Sequence, residues 1–541
     1  MKNLKMRNRK GITLIALVIT IIVLLILAGV TISMLSGNDG IISQAGEAKT
    51  NTEEKLTLEQ VQLAASDALL RGEDYTSIED KEDLSDALTS LGLTPDEEIL
   101  GNSTDGYKVT IKGILYNVAS NGAVTGPSEI DKLQEKYEFG YYNSLNSVIT
   151  EINNSSIGDN TIESKQDAVA GVYTDNDNIY LVLLKDATLN EEITPTVDMS
   201  INLGGKTLTF NSDNGLNITS GNVTIDGTID GSKISLTKDN QKTTLAQVNN
   251  GSLTLNGGTY ETISNGIGTD ADPNGSIVVG STGTLTVADA KIISNDTDGG
   301  TIAGILVEEG GSVAISDSDI EVTSPDGLKS DGIRNFGTMT LTNTNVVGYA
   351  NYTANAQKTD YATSTRGINN EGTMTLKNCK VYGAHSGIRS TGTLYIDGGT
   401  YEGYGHGGIY FAGADTTSYV KNAYLGICEM RNGYDDGIAG NNKAGFYIGG
   451  ASNITVYMDN CELWGTFYPL VMRISSAENN NSLYISNTTL KEGFERYIRI
   501  GTDKNIKIYI GSGNNFTAEQ VYYDSNAEET NTDYSTQFPE Y

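Results

Sequence analysis

The sequence has few cysteines, few prolines and few basic residues, and each shortage narrows what the chain can be. Its 541 residues include three cysteines, Cys379, Cys428 and Cys461. Three is a small and odd number, so the sequence does not indicate a disulfide framework. The chain has 7 prolines against 62 glycines, so its tight turns rely on glycine. Turns of that kind suit a regular array of short strands.

Positive charge is also scarce, because 36 Lys and Arg face 68 Asp and Glu, for a formal net charge of −32. Such a surface repels nucleic acid and anionic lipid, so we expect no nucleic-acid partner. Hydrophobic residues make up 38% of the chain and recur periodically, which excludes a disordered acidic protein. The length predicts two or three domains.

The N-terminus combines a basic leader with a long apolar run. Residues 1–11 (MKNLKMRNRKG) carry five basic side chains and no acid, and residues 12–35 carry no charge. Because about 20 apolar residues span a bilayer as a helix, residues 12–35 are predicted to be a transmembrane helix. The basic flank stays cytoplasmic, so the rest of the chain is expected outside the cell membrane.

This segment allows a plain signal anchor or a cleaved signal peptide, although the run is too long for the latter. A more specific interpretation rests on Lys10-Gly11-Ile12 and the apolar residues that follow. They resemble the class III leader of type IV pilins and pseudopilins, and residues 1–125 look like clostridial pilin-like proteins. The resemblance implies cleavage by a prepilin peptidase after Gly11, an N-methylated Ile12, and pilus or pseudopilus subunits as partners.

The sequence departs from the pilin pattern at Ala16, where the fifth residue of a mature pilin helix is usually Glu. The departure argues against a role in a pilus shaft and favours a tip protein, a minor pilin or a simple anchor. Residues 36–126 are predicted to form a pilin-like helix plus a small α+β unit. Its helices are expected over residues 41–70 and 81–91, and its strands over 107–111 and 114–118, with a third strand after Asn121-Gly122.

A ten-residue frame, G-[ST]-φ-x-φ-x-[NDG]-small-x-φ with φ apolar, recurs through residues 127–525. Clear copies start at Gly251, Gly283, Gly311, Gly337, Gly372 and Gly392, and weaker ones at Thr416, Ile454 and Asn481. Three consecutive copies follow the element Gly-Ile-x-x-x-Gly-Thr, at Gly332, Gly367 and Gly387. Repeats of this kind predict a solenoid.

Each column of the frame has a physical reason. Columns three and five are apolar and point inward from one strand. Column seven holds Asn, Asp or Gly, which tolerate a left-handed backbone at a corner. Column eight holds small residues, including Cys379 and Cys461, which we interpret as unreactive packing residues. Successive coils are expected to stack about 4.8 Å apart through parallel strand pairing.

The repeat resembles the right-handed parallel β-helix of pectate-lyase-like proteins, and the handedness comes from that resemblance alone. The fold class is therefore mainly β: a right-handed parallel β-helix preceded by a transmembrane, pilin-like helix and a small α+β unit. Residues 142–152 are amphipathic and are expected to cap the first coil. The tail, residues 526–541, is expected to close the far end or to be disordered.

Many β-helices of this family cleave polysaccharides, and two fragments resemble parts of the polygalacturonase signature. They are Gly-His-Gly around His406 and the pair Asp435-Asp436. Their order is reversed relative to that family, and its other elements are missing. The alternative interpretation places His406 in a glycine-rich turn and both aspartates in a solvated return loop.

Four aromatic residues fall in return loops after column ten, and stacked coils would bring such loops side by side. Rings flanked by Asp and Asn often hold sugars in proteins, so these residues are candidates for glycan binding. The alternative is a chance scatter of the 30 tyrosines. The candidates are Tyr382, Tyr404, Trp464 and Tyr468.

Together these patterns predict a surface protein without enzymatic activity, in which a pilin-like stem displays a β-helix head. The head would act as an adhesin for a glycan or another surface ligand. The alternative is a surface-tethered polysaccharide lyase or glycoside hydrolase that uses Asp435, Asp436 and His406. No motif specifies a cofactor or metal, and the acidity alone leaves Ca²⁺ open.

Overall fold

The structure is a computed structural model, and it divides into two compact units, residues 1–136 and 137–541. It describes residues 41–71, 77–96, 98–104, 106–111, 114–126, 139–154, 157, 161–162, 165–175, 178–238, 243–264, 274–296, 302–325, 330–351, 365–403, 406–427, 444–449, 452–465, 468–473, 480–491, 498–500, 506–522 and 526–540. The predicted leader and transmembrane helix lie outside these residues. Within them, no helix is both long and apolar enough to cross a membrane.

The first unit packs two helices and a small antiparallel sheet, as the sequence predicts. Helix α1 (Ile41–Arg71) precedes α2 (Lys81–Ser90). The sheet has the order β1-β2-β3-β4, from β1 (Leu100–Asn102), β2 (Gly106–Ile111), β3 (Ile114–Val118) and β4 (Val124–Thr125). Strand β1 was not predicted, since its three residues are all exposed and show no apolar alternation.

The second unit, which we call the head, begins with β5 (Gly140–Tyr142), helix α3 (Leu145–Asn153), β6 (Ala170–Asp175) and β7 (Asn178–Leu183). Strands β5, β6 and β7 pair antiparallel, and β7 then pairs parallel with the next strand of its sheet. Helix α3 buries Leu145, Val148, Ile149 and Ile152 in the same core as the coils, as expected of a cap.

The remaining strands repeat in the order A, B, C, where each letter names a sheet that runs along the solenoid. The strands from Ala187 to Asn351 are β8 (Ala187–Leu189), β9 (Met199–Asn202), β10 (Thr207–Phe210), β11 (Asn214–Ile218), β12 (Asn222–Gly227), β13 (Lys233–Lys238), β14 (Thr244–Gly257), β15 (Thr259–Ser264), β16 (Asn274–Ala288), β17 (Lys291–Asp296), β18 (Ile302–Val307), β19 (Ser312–Ser316), β20 (Asp319–Pro325), β21 (Asp331–Asn335), β22 (Thr338–Thr342) and β23 (Asn345–Asn351).

The later strands are β24 (Arg366–Asn370), β25 (Thr373–Gly383), β26 (Ser386–Ser390), β27 (Thr393–Gly403), β28 (Gly407–Phe411), β29 (Thr417–Lys421), β30 (Tyr424–Gly426), β31 (Phe446–Gly449), β32 (Thr455–Asp459), β33 (Glu462–Leu463), β34 (Leu470–Arg473), β35 (Asn481–Ser486), β36 (Thr489–Leu490), β37 (Ile498–Ile500), β38 (Ile506–Ile510), β39 (Val521–Tyr522) and β40 (Ala527–Glu529). Two short 3₁₀ helices, η1 (Ala518–Gln520) and η2 (Tyr534–Gln537), lie in the C-terminal region.

Sheet A contains β7, β9, β12, the second part of β14 and of β16, β19, β22, the first part of β25 and of β27, β29, β32, β35, β38 and β40. Sheet B contains β8, β10, β13, β15, β17, β20, β23, the second part of β25 and of β27, β30, β33 and β36. Sheet C contains β11, the first part of β14 and of β16, β18, β21, β24, β26, β28, β31, β34, β37 and β39. From β7 onward every strand pairing among the described residues is parallel, so the described coils form a parallel β-helix.

The corner between sheets A and B confirms the interpretation of column seven. Non-glycine residues there adopt a left-handed backbone, with φ between 49° and 56° at Asp289, Asp317, Asn343, Asn378, Asn422, Asn460 and Asn487. Their side chains bond along the stack, for example Asn343 Nδ2 to Asp317 Oδ1 at 3.0 Å and Asn460 Nδ2 to Asn422 Oδ1 at 2.7 Å.

Column eight is crowded as well, since Cys379 is 0% and Cys461 4% exposed. Burial raises the pKa of the Cys379 thiol to about 11 and that of Cys461 to about 12. A thiol that stays protonated at neutral pH is a poor nucleophile, which agrees with a packing role.

Candidate functional site on the outer face of sheet C

Sheet C carries one column of side chains that changes along the solenoid from apolar to cationic to aromatic. In each strand the column follows a residue that is buried in the core, such as Ile333, Ile388 or Ile409. Because successive side chains of a strand alternate, the column points away from the core of the coils. Most of its side chains are nevertheless covered, with Asn369 and Val471 each 1% exposed, and only Arg389, Tyr410 and Arg499 are half-buried. The paired residues are Val278, Leu306, Arg334, Asn369, Arg389, Tyr410, Tyr447, Val471 and Arg499.

Every arginine of the head that the structure describes lies on a strand of sheet C. These residues are Arg334, Arg366, Arg389, Arg473 and Arg499. Two of them are paired with acids at the same end of the column: Arg334 Nη2 lies 3.4 Å from Glu371 Oε1, and Arg366 Nη1 lies 3.4 Å from Asp331 Oδ1.

Arg389 differs from these two because no described carboxylate lies within salt-bridge distance of it. Its Nη1 donates to Asn369 Oδ1 at 3.1 Å, and Asn369 Nδ2 in turn donates to Glu371 Oε1 at 3.2 Å. Burial, and then the nearby Arg366, lower the pKa of Arg389, but a guanidinium remains charged at neutral pH. Arg389 is therefore a half-buried cation without a direct carboxylate partner among the described residues, and Glu371 and Asp331 act on its charge only from a distance.

The described face has a net positive charge within an acidic protein. Between strands β21 and β37 it presents four described guanidinium groups, of Arg334, Arg366, Arg389 and Arg499, against the carboxylates of Asp331 and Glu371. This leaves two positive charges on a surface of a chain whose formal net charge is −32. A local potential of opposite sign selects anionic ligands.

The only two histidines of the chain meet at the edge of this face. His385 and His406 immediately precede strands β26 and β28, and their ring centroids are 4.4 Å apart. The backbone N–H of His406 donates to the carbonyl of His385 at 2.6 Å. Since β26 and β28 are adjacent in sheet C, the short return from sheet B fixes this contact.

His406 packs against tyrosine rings of the column. Its ring centroid lies 5.1 Å from that of Tyr410 and 5.4 Å from that of Tyr447, the latter in an edge-on arrangement. Burial lowers the pKa of His406 below 6.5, so the imidazole is neutral at pH 7. Its Nδ1 is buried and has no hydrogen-bond partner in the described structure.

The aromatic end of the face is a small cluster of its own. Tyr447, Tyr468, Val471 and Ala444 form a buried cluster with Tyr410 packed against it. Arg499 lies over the Tyr468 ring, 5.8 Å from the centroid. A cation at this distance from a ring face is attracted to it, which holds a second arginine on the surface.

The four predicted aromatic residues do not form one group. Tyr468 joins the sheet C cluster and is 6% exposed. Tyr382 lies on β25 in sheet B, paired with Glu402, and Trp464 follows β33; both are half-buried. Tyr404, Asp435 and Asp436 lie outside the described residues, as do Gly11 and Ile12. Of the predicted catalytic residues, the structure therefore places His406 alone.

Sequence reasoning missed Arg389, Tyr410 and Tyr447, which give the face its chemistry. A signal for them exists in the element Gly-Ile-x-x-x-Gly-Thr, where the residue after Ile is Arg334, Asn369 or Arg389. The strand alternation that places Ile inward places this next residue outward, so the column could have been read from the repeat. Among the described residues, no cluster of His, Cys, Asp or Glu has the geometry to hold a metal.

The sequence matches no described protein family, and no curated protein matches it. Two solved structures are similar in fold. A point mutant of the periplasmic alginate epimerase AlgG is 11% identical, with a TM-score of 0.36 over 62% of this chain and 78% of that one. The A-module of the mannuronan C-5 epimerase AlgE4 from Azotobacter vinelandii is 11% identical, with a TM-score of 0.27 over 73% of this chain and 99% of that one.

Proposed function

We propose that this chain is a cell-surface adhesin whose head binds an anionic polysaccharide along the outer face of sheet C. The observation that carries the proposal is Arg389, a half-buried guanidinium without an acidic partner among the described residues, beside Tyr410 and the neutral His406. Glu371 and Asp331 offset this charge only from a distance, so an anionic ligand that accepted hydrogen bonds from the guanidinium would supply a direct contact that the described residues do not provide.

The chemistry of the face fits an acidic sugar polymer. A guanidinium can bind a carboxylate or sulfate through two parallel hydrogen bonds. Tyr410, which is half-buried, adds apolar ring surface with a hydroxyl group at its edge. A second half-buried guanidinium, that of Arg499, lies four coil spacings from Arg389, a distance of roughly 19 Å, which an extended chain reaches and a small molecule does not.

Binding of the full chain to charged and neutral polysaccharides on a glycan array, followed by titration of each hit, tests this proposal. Arg389→Gln is expected to weaken binding by about tenfold to a hundredfold, because it removes a charged hydrogen bond. The matched control is Lys507→Gln, which removes the same charge from the exposed side of sheet A. Equal affinity of the two variants, or a preference for neutral glycans, would refute the assignment of the site.

For its placement, we propose that residues 12–35 anchor the chain in the cell membrane, with the head outside. The leader is proposed to be cut by a prepilin peptidase between Gly11 and Ile12, and Ala16 favours a tip or minor pilin over a shaft subunit. Support comes from the sequence pattern alone. Mass spectrometry of the surface protein should find an N-terminus at Ile12, whereas a retained Met1 would leave only a plain signal anchor.

A second candidate function is cleavage or modification of the bound polysaccharide, and His406 is the observation that favours it. Burial favours the neutral form of this imidazole, which packs against Tyr410, and a neutral imidazole is the form that accepts a proton in general base catalysis. Because Nδ1 is buried, this role would fall to Nε2. We expect His406→Gln to abolish such activity while binding persists. If the wild-type chain leaves every bound polysaccharide intact, the adhesin proposal stands without it.

A further inference from the structure

A second unassigned surface lies on the outer face of sheet A, where five tyrosines of consecutive strands stack into a ladder. Their ring centroids are 5.5, 5.4, 4.9 and 4.5 Å apart in sequence order, and successive ring planes are within 14° of parallel. The tyrosine ladder consists of Tyr395, Tyr419, Tyr457, Tyr484 and Tyr509.

The stacking determines what the ladder can bind. Inside the ladder the ring faces are covered by neighbouring rings, so the ladder presents ring edges and hydroxyl groups to its surroundings. Ring edges carry partial positive charge and prefer the negative face of another aromatic ring. The ladder is therefore suited to a partner that brings aromatic rings side-on, more than to a flat sugar.

The C-terminal segment of the same chain is such a partner. After β40 the chain turns back over sheet A, and the Tyr534 ring packs T-shaped against Tyr484, with centroids 5.3 Å apart. Four residues later the Phe538 ring packs T-shaped against Tyr419 at 5.7 Å, with Lys421 Nζ 5.7 Å from the Phe538 ring centroid. The segment thus crosses from the coil of Tyr484 to the coil of Tyr419.

Hydrogen bonds from Ser512, next to Gly511, and to Ser486 align this segment. The Ser512 N–H donates to the carbonyl of Thr532 at 3.0 Å, and the Tyr534 N–H donates to Ser486 Oγ at 3.1 Å. A Cβ added at Gly511 would overlap the carbonyl oxygen of Thr532 and come within 2.9 Å of the Tyr534 ring. Glycine at position 511 therefore provides the room in which the segment docks.

The attachment of the segment is slight. In residues 530–540 only Tyr534 is buried, and the segment continues directly from β40, at the end of the solenoid. Besides the Tyr534 and Phe538 ring contacts, it is held by hydrogen bonds at Thr530, Thr532, Asp533 and Tyr534. None of these contacts is made by an apolar side chain of the coil core, so the segment can leave without disturbing that core. An identical segment from another molecule would make the same contacts, which is the condition for exchange between copies.

We propose that the tyrosine ladder is a docking site for the C-terminal segment of a second copy of this chain, and that the structure shows the site filled in cis. A short tether gives the cis segment an effective concentration of about a millimolar, so exchange requires crowded copies or an acceptor whose own segment is absent. Neighbouring copies on one surface meet the first condition.

The site itself is tested with the full chain ended after Glu529 and a fluorescent peptide of residues 530–540. Fluorescence anisotropy should show binding. A peptide with Tyr534→Ala and Phe538→Ala should bind at least about tenfold more weakly, since both ring contacts are lost. No binding at millimolar concentrations, or equal binding of the two peptides, would overturn the docking site.

The second-copy partner is tested by complementation between two full-chain variants. Gly511→Ala frees the C-terminal segment and blocks the docking site of its own chain, so that chain can only donate a segment. The chain ended after Glu529 has no segment and can only accept one. Each alone should give no segment-dependent pairing, and an affinity-tagged donor should capture the acceptor at micromolar concentration. Ser512→Ala, whose side chain is exposed, is the control that keeps the segment in cis and should capture little.

The last comparison separates this pairing from any association through other parts of the chain. Adding Tyr534→Ala and Phe538→Ala to the Gly511→Ala donor should reduce capture to the level of the Ser512→Ala control. If capture is unchanged by these substitutions, or if the peptide binds but the donor captures nothing, the second copy is not the partner.

Discussion

The buried side chain of Asn370 allows a test of the hydrogen bonds that join successive coils next to sheet C. It is 0% exposed, and its Nδ2 donates to three acceptors: Ser390 Oγ at 3.1 Å, the Thr393 carbonyl at 3.0 Å and the Gly372 carbonyl at 3.3 Å. Its Oδ1 accepts from Asn335 Nδ2 at 2.8 Å. The side chain links three successive coils at the corner between sheets C and A.

Asn370→Ala is expected to destabilise this region by about 3–5 kcal/mol. Each net hydrogen bond contributes about 1 kcal/mol, and a buried polar group left unpaired costs about 1–3 kcal/mol. Part of this free-energy loss is offset, because Asn335 Nδ2 also donates hydrogen bonds to the carbonyls of Gly337 at 3.3 Å and Thr373 at 3.2 Å. Ser390 Oγ similarly keeps its bond to the Gly392 carbonyl at 3.0 Å.

Native-state hydrogen exchange resolved by strand is the appropriate assay, because stability in a solenoid is a sum over neighbouring coils. Exchange should accelerate in β21, β24 and β26 and remain unchanged at β12. Thr373→Ala, at an exposed position of the same coil, should change stability by no more than about 0.5 kcal/mol. Equal effects of the two substitutions would refute the argument that the hydrogen bonds of Asn370 stabilise these coils. So would a double-mutant cycle with Asn335→Ala that shows no coupling.

Three further outcomes follow from named groups. His406 should titrate below pH 6.5 in an NMR pH series, because burial lowers its pKa in the folded chain. As the pH falls below 6.5, the unfolded chain therefore binds a proton at this histidine before the folded chain does, and the folded state loses stability. In a Cys428→Ser background, Cys379 and Cys461 should resist thiol reagents at pH 8 until the chain unfolds, since their thiol pKa values are about 11 and about 12. Asn378→Gly should cost less than about 1 kcal/mol in thermal unfolding and Asn378→Val clearly more, because φ at this position is 53° and a β-branched residue is strained there.

The described fold was predictable from the sequence because most coils repeat the same constraint. In most later coils the corner between sheets A and B is two residues long, for example at Asp317 and Ser318 and at Asn422 and Ala423, whereas it is four residues long after β9 and five after β12. A corner of constant length keeps the strands in register, so apolar columns, left-handed positions and small residues recur at fixed offsets in those later coils. The handedness of the helix does not follow from such offsets and stays a prediction from resemblance.

The site was less predictable because sequence spacing does not report which loops become neighbours. Tyr468 was selected for its place in a return loop. Its ring, however, packs with Tyr447 of the earlier strand β31 and beneath Arg499 of the later strand β37. The tyrosine ladder was missed for a similar reason. Its members occupy one outward column of sheet A, but only Tyr395 lies in a clear copy of the repeat. Tyr419, Tyr457 and Tyr484 lie in the weaker copies, and Tyr509 lies beyond the last copy.

The two kinds of corner also bear on the place of the candidate site, because the length of the return from sheet B to sheet C varies while that of the corner from sheet A to sheet B changes little in the later coils. Between sheets B and C the chain uses as few as two residues, Ala384 and His385, or as many as nineteen, residues 427–445. Insertions there leave the register of sheets A and B untouched, so binding groups can change at that edge without loss of the core. Both histidines stand at this return, and the cationic and aromatic column lies on the strands just beyond it. The same reasoning makes the sheet C face the first place to look for ligand selectivity, and makes the docking site on sheet A, which depends on uninterrupted stacking, the more rigid of the two surfaces.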